Sequence, residues 1–435
     1  MKEFKYIIVA FSISLVSLFL VGITYPEQIA NYAVCSGMIL LALVLWLKIT
    51  KYQLNFFFVL VYTLINLNFL NLILMGMSIL INALSYTLGF VLSVVISIIC
   101  KKKKFSYKFL KWLSLSSIIV IFLVLLVAPS SMIHQVNQTR AWLKIGNLTL
   151  QLTEFVKLLF IVYIVSVVGN DSVDVRNARI KFRELLLSLV ILGVGFCLIS
   201  ELGTLLLCIL IFCVAIYLFF PRVYFKRMCT LMIACAIVGV VSILLLLKLN
   251  DSSLEVLKAA FSLPIHLACK VYDRFYILWN YQNMSDTSYA FQYIRAREAL
   301  VLASEMPLFR TPITVLNFGY DSDMSFIALV INCGLLYGFL YLVLIFMLIM
   351  WFYRTHIYQQ DISETNRVLR VLVVVLLFCE IWFGIACSTC LLPIVGLGTP
   401  FLSKSGTMAM LTAMLLSSHL IDLKLQTKED TYEAY

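Results

Sequence analysis

Apolar runs of about twenty residues recur along this chain from one end to the other. A bilayer core about 30 Å thick takes about 20 apolar residues per crossing helix. The sequence marks roughly twelve such stretches, at 6–24, 29–48, 54–75, 78–100, 109–128, 152–169, 185–200, 203–220, 229–248, 325–353, 367–388 and 405–423. Of the 435 residues, 63% are hydrophobic and 13% charged, against about 45–50% and about 25% in a soluble domain. No water-soluble globule of this length hides so much apolar side chain. Disorder, a collagen-like rod, a secreted disulfide scaffold and an ordinary soluble enzyme are therefore excluded. The expected fold is all-α: a polytopic integral membrane protein.

The chain carries 33 Lys and Arg against 22 Asp and Glu. The basic residues sit in short runs between apolar stretches, where they act as a topology signal rather than as a nucleic-acid surface. With the N-terminus inside, 22 basic residues fall in inner segments and four in the short outer ones. That contrast predicts both termini inside. Lys2 and Lys5 precede an apolar run of spanning length with no A-x-A site after it, so no cleavable signal peptide is expected. Most of the 12 cysteines lie inside apolar runs and read as small hydrophobes. Cys387 and Cys390 form a single C-x-x-C without a second pair, and are expected to pack rather than to bind metal. Residues 249–323 form the one large extramembrane segment, on the outer side. Stretches such as "FYILWNYQN" and "REALVLASEMPLF" predict order there, with helices on the bilayer surface.

Ionisable residues within apolar spans are costly and mark functional candidates. Glu154 and Lys157 stand at i, i+3 in "QLTEFVKLL", on one helix face. Glu201 stands at the turn in "SELGT", Asp321 and Asp323 in "YDSDMSFIALV", and Glu380 mid-span in "FCEIWF". All but Glu380 lie on the predicted outer side. Each has a structural reading beside the functional one. Glu154 and Lys157 could pair only to ease membrane entry, Glu201 and Asp321 could be turn residues, and Glu380 could be a helix-bonded carboxyl. Asp323 reads as a helix N-cap or as a site residue.

Four segments in the right order resemble the SEDS family (shape, elongation, division and sporulation), represented by FtsW, RodA and SpoVE. "RAWLKIGNLTLQLTEFVKLL" is similar to the family's outer loop through Trp142, Gly146, Gln151, Glu154, Phe155, Lys157 and Leu158. "SELGTLLL" resembles P-D-L-G-T, with Glu201 in the Asp place. "SDMSFIALVINCG" aligns Asp323, Phe326 and Gly334, and "LPIVGLGTPFLSKSGT" aligns Leu392, Pro393, Gly396, Pro400, Phe401, Ser403 and Gly406. A fainter likeness runs through Gln292 and Ala299. The chain departs from the pattern where Arg140 stands one place before the family's Arg, where Leu152 replaces a Pro, where Ile331 and Asn332 replace a Glu-Glu pair, and where Ser405 replaces one of two glycines. The resemblance is therefore to a divergent member of the family.

The resemblance covers roughly residues 54–423 and implies a ten-helix core holding the 249–323 loop, preceded by two extra spans in 1–53 and followed by a cytoplasmic tail, 424–435. It implies a bacterial plasma-membrane glycosyltransferase that polymerises lipid II, an undecaprenyl-pyrophosphate-linked glycan, at the outer face, in division or shape maintenance. Asp323 is the expected catalytic base. Lys157, Glu154, Glu201, Arg140, Trp142, Gln151 and Ser403 are the expected substrate-binding residues, and the outer ends of the sixth, eighth and tenth spans are expected to converge. A divalent cation, Mg or Mn, between pyrophosphate and carboxylate is compatible with this chemistry. The implied protein partner is a class B penicillin-binding protein. Three other readings share the features: a transporter of lipid-linked precursors, a non-catalytic scaffold regulating a transpeptidase, and an O-antigen-type ligase, whose Arg and His chemistry the four scattered histidines do not match.

Overall fold

The structure is a computed structural model that describes residues 2–50, 55–102, 104–136, 139–146, 148–169, 175–248, 271, 273–278, 280, 291–304, 323–354, 363–394 and 396–417. Every apolar stretch read from the sequence is largely helical over its described residues. Eight helices among the described residues are long and apolar enough to cross a membrane. The chain divides into two compact units, one built from Met1–Phe105 with Asp286–Lys424 and the other from Ser106–Ser285 with Leu425–Tyr435.

In the first unit, α1 (Lys2–Thr24), α2 (Ile29–Thr50), α3 (Phe56–Leu74) and α4 (Leu80–Lys102) come first. After the 249–323 segment come α10 (Phe291–Ser304), α11 (Ser325–Cys333), α12 (Leu335–Phe352), α13 (Glu364–Ser388) and α14 (Gly406–Ser417). Helix α3 is apolar all round, and from Phe57 to Leu74 only Thr63 escapes full burial. A helix hydrophobic on every face belongs inside a bundle, and α1, α2, α11 and α12 pack on α3. Its few polar residues face partners. Tyr32 Oη and Ser36 Oγ of α2 both donate to Asn66 Oδ1, at 2.5 and 2.8 Å, and the Ser14 hydroxyl of α1 meets Tyr62. Such hydrogen bonds are worth about 0.6–2 kcal/mol each between helices in lipid. They tie the two N-terminal helices to α3.

The tenth apolar stretch, expected as one span, is two helices. The chain breaks at Gly334, whose φ of +95° lies in the left-handed region that favours glycine. Helices α4 and α14 approach closely through small residues. A Cβ placed on Gly89 would lie 2.3 Å from the Met410 carbonyl oxygen and 2.7 Å from Ala413 Cβ. Gly89→Ala therefore forces the two backbones apart and is expected to cost about 1–3 kcal/mol. Thermal unfolding in detergent should show the loss, whereas Gly37→Ala, with open space at its Cβ, should leave the midpoint unchanged.

The second unit holds α5 (Tyr107–Val127), α6 (Leu152–Val168), α7 (Val175–Leu198), α8 (Leu202–Phe219) and α9 (Arg222–Lys248). Between α5 and α6 the chain forms a small antiparallel sheet, β1 (Ile133–Val136), β2 (Thr139–Ile145) and β3 (Leu148–Gln151), in that order. This is the one departure from helix that the apolar-run reading missed. Its cue was local: two alternating segments flanking Gly146-Asn147, a hairpin signal. Gly146 turns the chain at φ +60°.

Much of the 249–323 segment lies outside the described residues, as do Asp321 and the 424–435 tail. Helix α10 and the helical stretch 273–278 show order within that segment. The C-x-x-C is a packing pair. Both cysteines are buried thiols, the Cys387 thiol reaches the Pro393 carbonyl, and burial pushes the Cys390 thiol up to about 11. Burial thus disfavours the thiolate, the form that acts as nucleophile or metal ligand.

Candidate functional site

Six of the eight candidate residues lie at one end of the second unit, where α5 and α7 finish and α6 and α8 begin. The sheet organises that end. Gln151 closes β3 and stands at the N-cap position of α6, and Trp142 of β2 pairs directly with it. At its other end β2 is tied to the α7–α8 turn. The Arg140 backbone N–H donates to the Ile199 carbonyl at 3.0 Å, and Thr139 Oγ1 donates to the Ser200 carbonyl at 3.2 Å. Helix α7 stops there because Ser200 adopts φ +60°, which brings the Glu201 N–H back onto the Phe196 carbonyl at 2.9 Å.

Glu201 occupies the N-cap position of α8, where a carboxylate suits the positive end of the helix dipole. It is buried, and Thr204 Oγ1 donates to its Oε1 at 3.2 Å. One turn into α6, Lys157 Nζ lies 2.5 Å from Glu154 Oε2, with the two side chains only 1% and 2% exposed. A pair so completely withdrawn from solvent is costly to desolvate and is retained only with close geometry. The arrangement stores a fixed positive charge against a fixed negative one beside the helix N-terminus.

Arg140 is placed differently from a free anion ligand. Its guanidinium donates to the Leu126 and Ala128 carbonyls, at 3.2 and 2.9 Å, satisfying the end of α5. Two of its nitrogens thus hold α5 to the sheet.

Asp323 and Ser403 belong to the first unit and meet through α11. Asp323 is half-buried, and Met324 rather than Asp323 occupies the N-cap position, so the N-cap alternative for Asp323 does not hold. The Asp323 carbonyl accepts a hydrogen bond from Ser388 Oγ at the end of α13, at 3.2 Å. Two residues on, Ser325 Oγ lies 3.2 Å from Ser403 Oγ. The Ser403 hydroxyl is also bound to Thr399, accepting from its N–H at 2.6 Å and donating to its carbonyl at 3.0 Å. Ser403 therefore braces the 389–405 segment, which also holds Phe401 at φ +62°. A non-glycine residue there is strained and persists only where packing over-determines it.

Three residues that the search for charges passed over complete this end of the first unit. Asn68 and Asn82 both donate to the Ser403 carbonyl, at 3.4 and 3.0 Å, and Asn71 donates to the Ser325 carbonyl at 3.3 Å. The signal was present in "NLNFLN", three amides within an otherwise apolar span. Unbonded amides in hydrocarbon are costly just as charges are. Glu380 is fully buried in α13, and neither it nor Asp323 belongs to a metal-binding set. Among the described residues no three or more His, Cys, Asp or Glu side chains gather to hold an ion.

Residues 48–261 match the family model for FtsW, RodA and SpoVE, described as cell cycle protein. No curated protein matches the chain. Among solved structures, it resembles one from a study of how a peptidoglycan synthase complex coordinates polymerization and crosslinking. The TM-score is 0.57 at 15% identity, covering 83% of this chain and 96% of that one. It also resembles the rod shape determining protein RodA of Thermus thermophilus, with a TM-score of 0.50 at 15% identity over 84% and 93% of the two chains. These likenesses carry the fold, and the family match begins only at residue 48, so α1 and nearly all of α2 precede it. With the matched segment holding the sheet, the buried Glu154–Lys157 pair and the Glu201 turn, the chain is a multi-pass membrane protein whose residues 48–261 match the SEDS family of FtsW, RodA and SpoVE.

Proposed function

We propose that this protein is a peptidoglycan glycosyltransferase that polymerises lipid II at the outer face of a bacterial plasma membrane, with both termini inside. The observation that carries the reading is the buried Glu154–Lys157 pair in the family-matched segment. A membrane helix that keeps two charges out of water calls for a use of them, and a pyrophosphate-linked donor supplies one. The acceptor sugar hydroxyl attacks the anomeric carbon of the donor. A C–O bond forms there as the bond from that carbon to the pyrophosphate oxygen breaks. The hydroxyl proton passes to Asp323 as general base. Negative charge grows on the departing pyrophosphate, and Lys157, oriented by Glu154, meets it. Trp142, Gln151 and Glu201 border the same end of their unit and contact the donor, while Arg140 holds α5 to the sheet beside them and Ser403 keeps the segment beside Asp323 in place.

A divalent cation would have to be shared between one carboxylate and substrate phosphate oxygens, the usual manner for Mg²⁺. It would add charge neutralisation to the leaving group. A class B penicillin-binding protein is the proposed partner, and the likeness to a structure from a study of a peptidoglycan synthase complex supports it.

The decisive assay uses purified full-length chain with fluorescent lipid II, alone and with candidate class B partners. Glycan strands resolved on a gel support polymerisation. Translocation of lipid II across a vesicle membrane without strand formation would instead assign the transporter reading. A cell-wall phenotype that survives loss of Asp323 would assign the scaffold reading.

A further inference from the structure

Helices α3 and α4 carry four asparagines, Asn66, Asn68, Asn71 and Asn82, none more than 1% exposed. They are not used alike. Asn66 is fully bonded: its Oδ1 accepts from Tyr32 and Ser36, and its Nδ2 donates to the Tyr62 carbonyl at 2.8 Å. Asn68 accepts from Asn82 Nδ2 at 3.0 Å and donates to the Ser403 carbonyl. Asn71 and Asn82 each keep a buried Oδ1 with no hydrogen-bond partner. Turning either amide over would not cure this. Oδ1 would then face the carbonyl that Nδ2 now serves, that of Ser325 for Asn71 and that of Ser403 for Asn82.

A buried acceptor left unmet is costly, and a leucine of similar size would avoid it. What the two half-used amides add is a hold on one place from two directions. Asn71 Nδ2 donates to the Ser325 carbonyl at 3.3 Å. Asn82 Nδ2 donates to the Ser403 carbonyl at 3.0 Å, and the Ser403 hydroxyl lies 3.2 Å from that of Ser325. Ser325 is the first residue of α11, fully buried and two positions after Asp323. On the other side of Met324, Ser388 Oγ holds the Asp323 carbonyl at 3.2 Å. We infer that Asn71 is a positioning residue for Asp323. The inference rests on the reading of Asp323 as general base.

The hold matters because α11 has little stiffness of its own. It is nine residues long and ends at Gly334, and helices shorter than about 12–15 residues are marginal without outside contacts. The Ser388 bond alone fixes a distance and leaves the chain free to swing about it. A second anchor beyond Met324, from α3 to the Ser325 carbonyl, removes that swing. A general base must stand at about 2.6–3.2 Å from the proton it takes, and a misplacement of about 1 Å can cost about 10²-fold in rate.

The test compares purified full-length Asn71→Leu, Asp323→Asn and the double variant in lipid II polymerisation, with Asn66→Leu as a structural control. Asn71→Leu should lower kcat about tenfold, inside the range that misplacement can cost. Its KM for lipid II should not change, and its thermal midpoint should be no lower, because the unmet oxygen is gone. In the Asp323→Asn background the same substitution should move the residual rate by less than about twofold, since residues that act as a unit are not additive. Asn71→Gln, which keeps an amide donor, should recover part of the turnover. Asn66→Leu should lower the midpoint and leave kcat of the folded protein alone. Normal kcat in folded Asn71→Leu, or a further tenfold loss in the double variant, would overturn the inference; if Asn71→Leu folds poorly, Asn71→Ala replaces it. Hydrogen exchange gives a readout without turnover: amides of residues 323–330 should exchange faster in Asn71→Leu than in the wild type, with α6 unchanged, and equal exchange would also overturn it. Full activity in Asp323→Asn would remove the base and the positioning role together, and that arm carries no change at Asn71, so the two failures are distinct.

Discussion

Asp323→Asn is expected to lower lipid II polymerisation by about 10²–10⁴-fold, the usual contribution of a positioned general base. The substitution keeps the size of the side chain and leaves the backbone untouched. The substitution keeps the bond from the Ser388 hydroxyl to the Asp323 carbonyl, which pins the start of α11 to α13. The thermal midpoint checks that the variant is folded. Substrate binding should change far less than turnover, because the hydroxyl proton is transferred only in the transition state. A folded Asp323→Asn protein with more than about a tenth of normal turnover is incompatible with a general base of ordinary strength.

The second large effect comes from Glu154 and Lys157, which form an ion pair with exposures of only 2% and 1%. Removing one charge takes that ion pair from its partner in a medium that stabilises ions poorly. Breaking a buried pair in this way costs about 3–5 kcal/mol. Glu154→Gln and Lys157→Met should each yield little folded protein when expressed alone. The double variant carries no stranded charge and should recover much of the stability, since apolar replacement of a buried pair is often neutral. Activity is expected to separate the two roles. If the positive charge serves the departing pyrophosphate, no neutral side chain replaces it, and the folded double variant stays inactive. Polymerisation by the double variant in matched membranes would show that the pair serves only folding.

Much of the architecture was legible because the bilayer imposes it locally. Its thickness sets the length of each helix, and the distribution of Lys and Arg argues for orientation. Neither needs knowledge of which helix touches which, and so the apolar stretches reappear as helices α1 to α9 and α11 to α14, although α7 begins ten residues and α9 seven residues earlier than read. The pairing of Glu154 with Lys157 was equally legible, because residues at i, i+3 share a helix face whatever surrounds them. Other local cues were present but weaker than the apolar signal around them: the Gly146 hairpin, the left-handed Gly334 that divides one span, and the three amides of "NLNFLN".

What those amides bond could not be read in this way. Asn68 meets the Ser403 carbonyl across 335 positions of sequence, and Asn71 meets that of Ser325 across 254. Burial obliges a polar group to find a partner but does not say which one. Arg140 shows the same limit from the other side. As a cation in a loop it suits any anion, and only the fold assigns two of its nitrogens to the carbonyls that end α5. Composition and spacing act over one or two helical turns, whereas partner choice depends on how the helices pack.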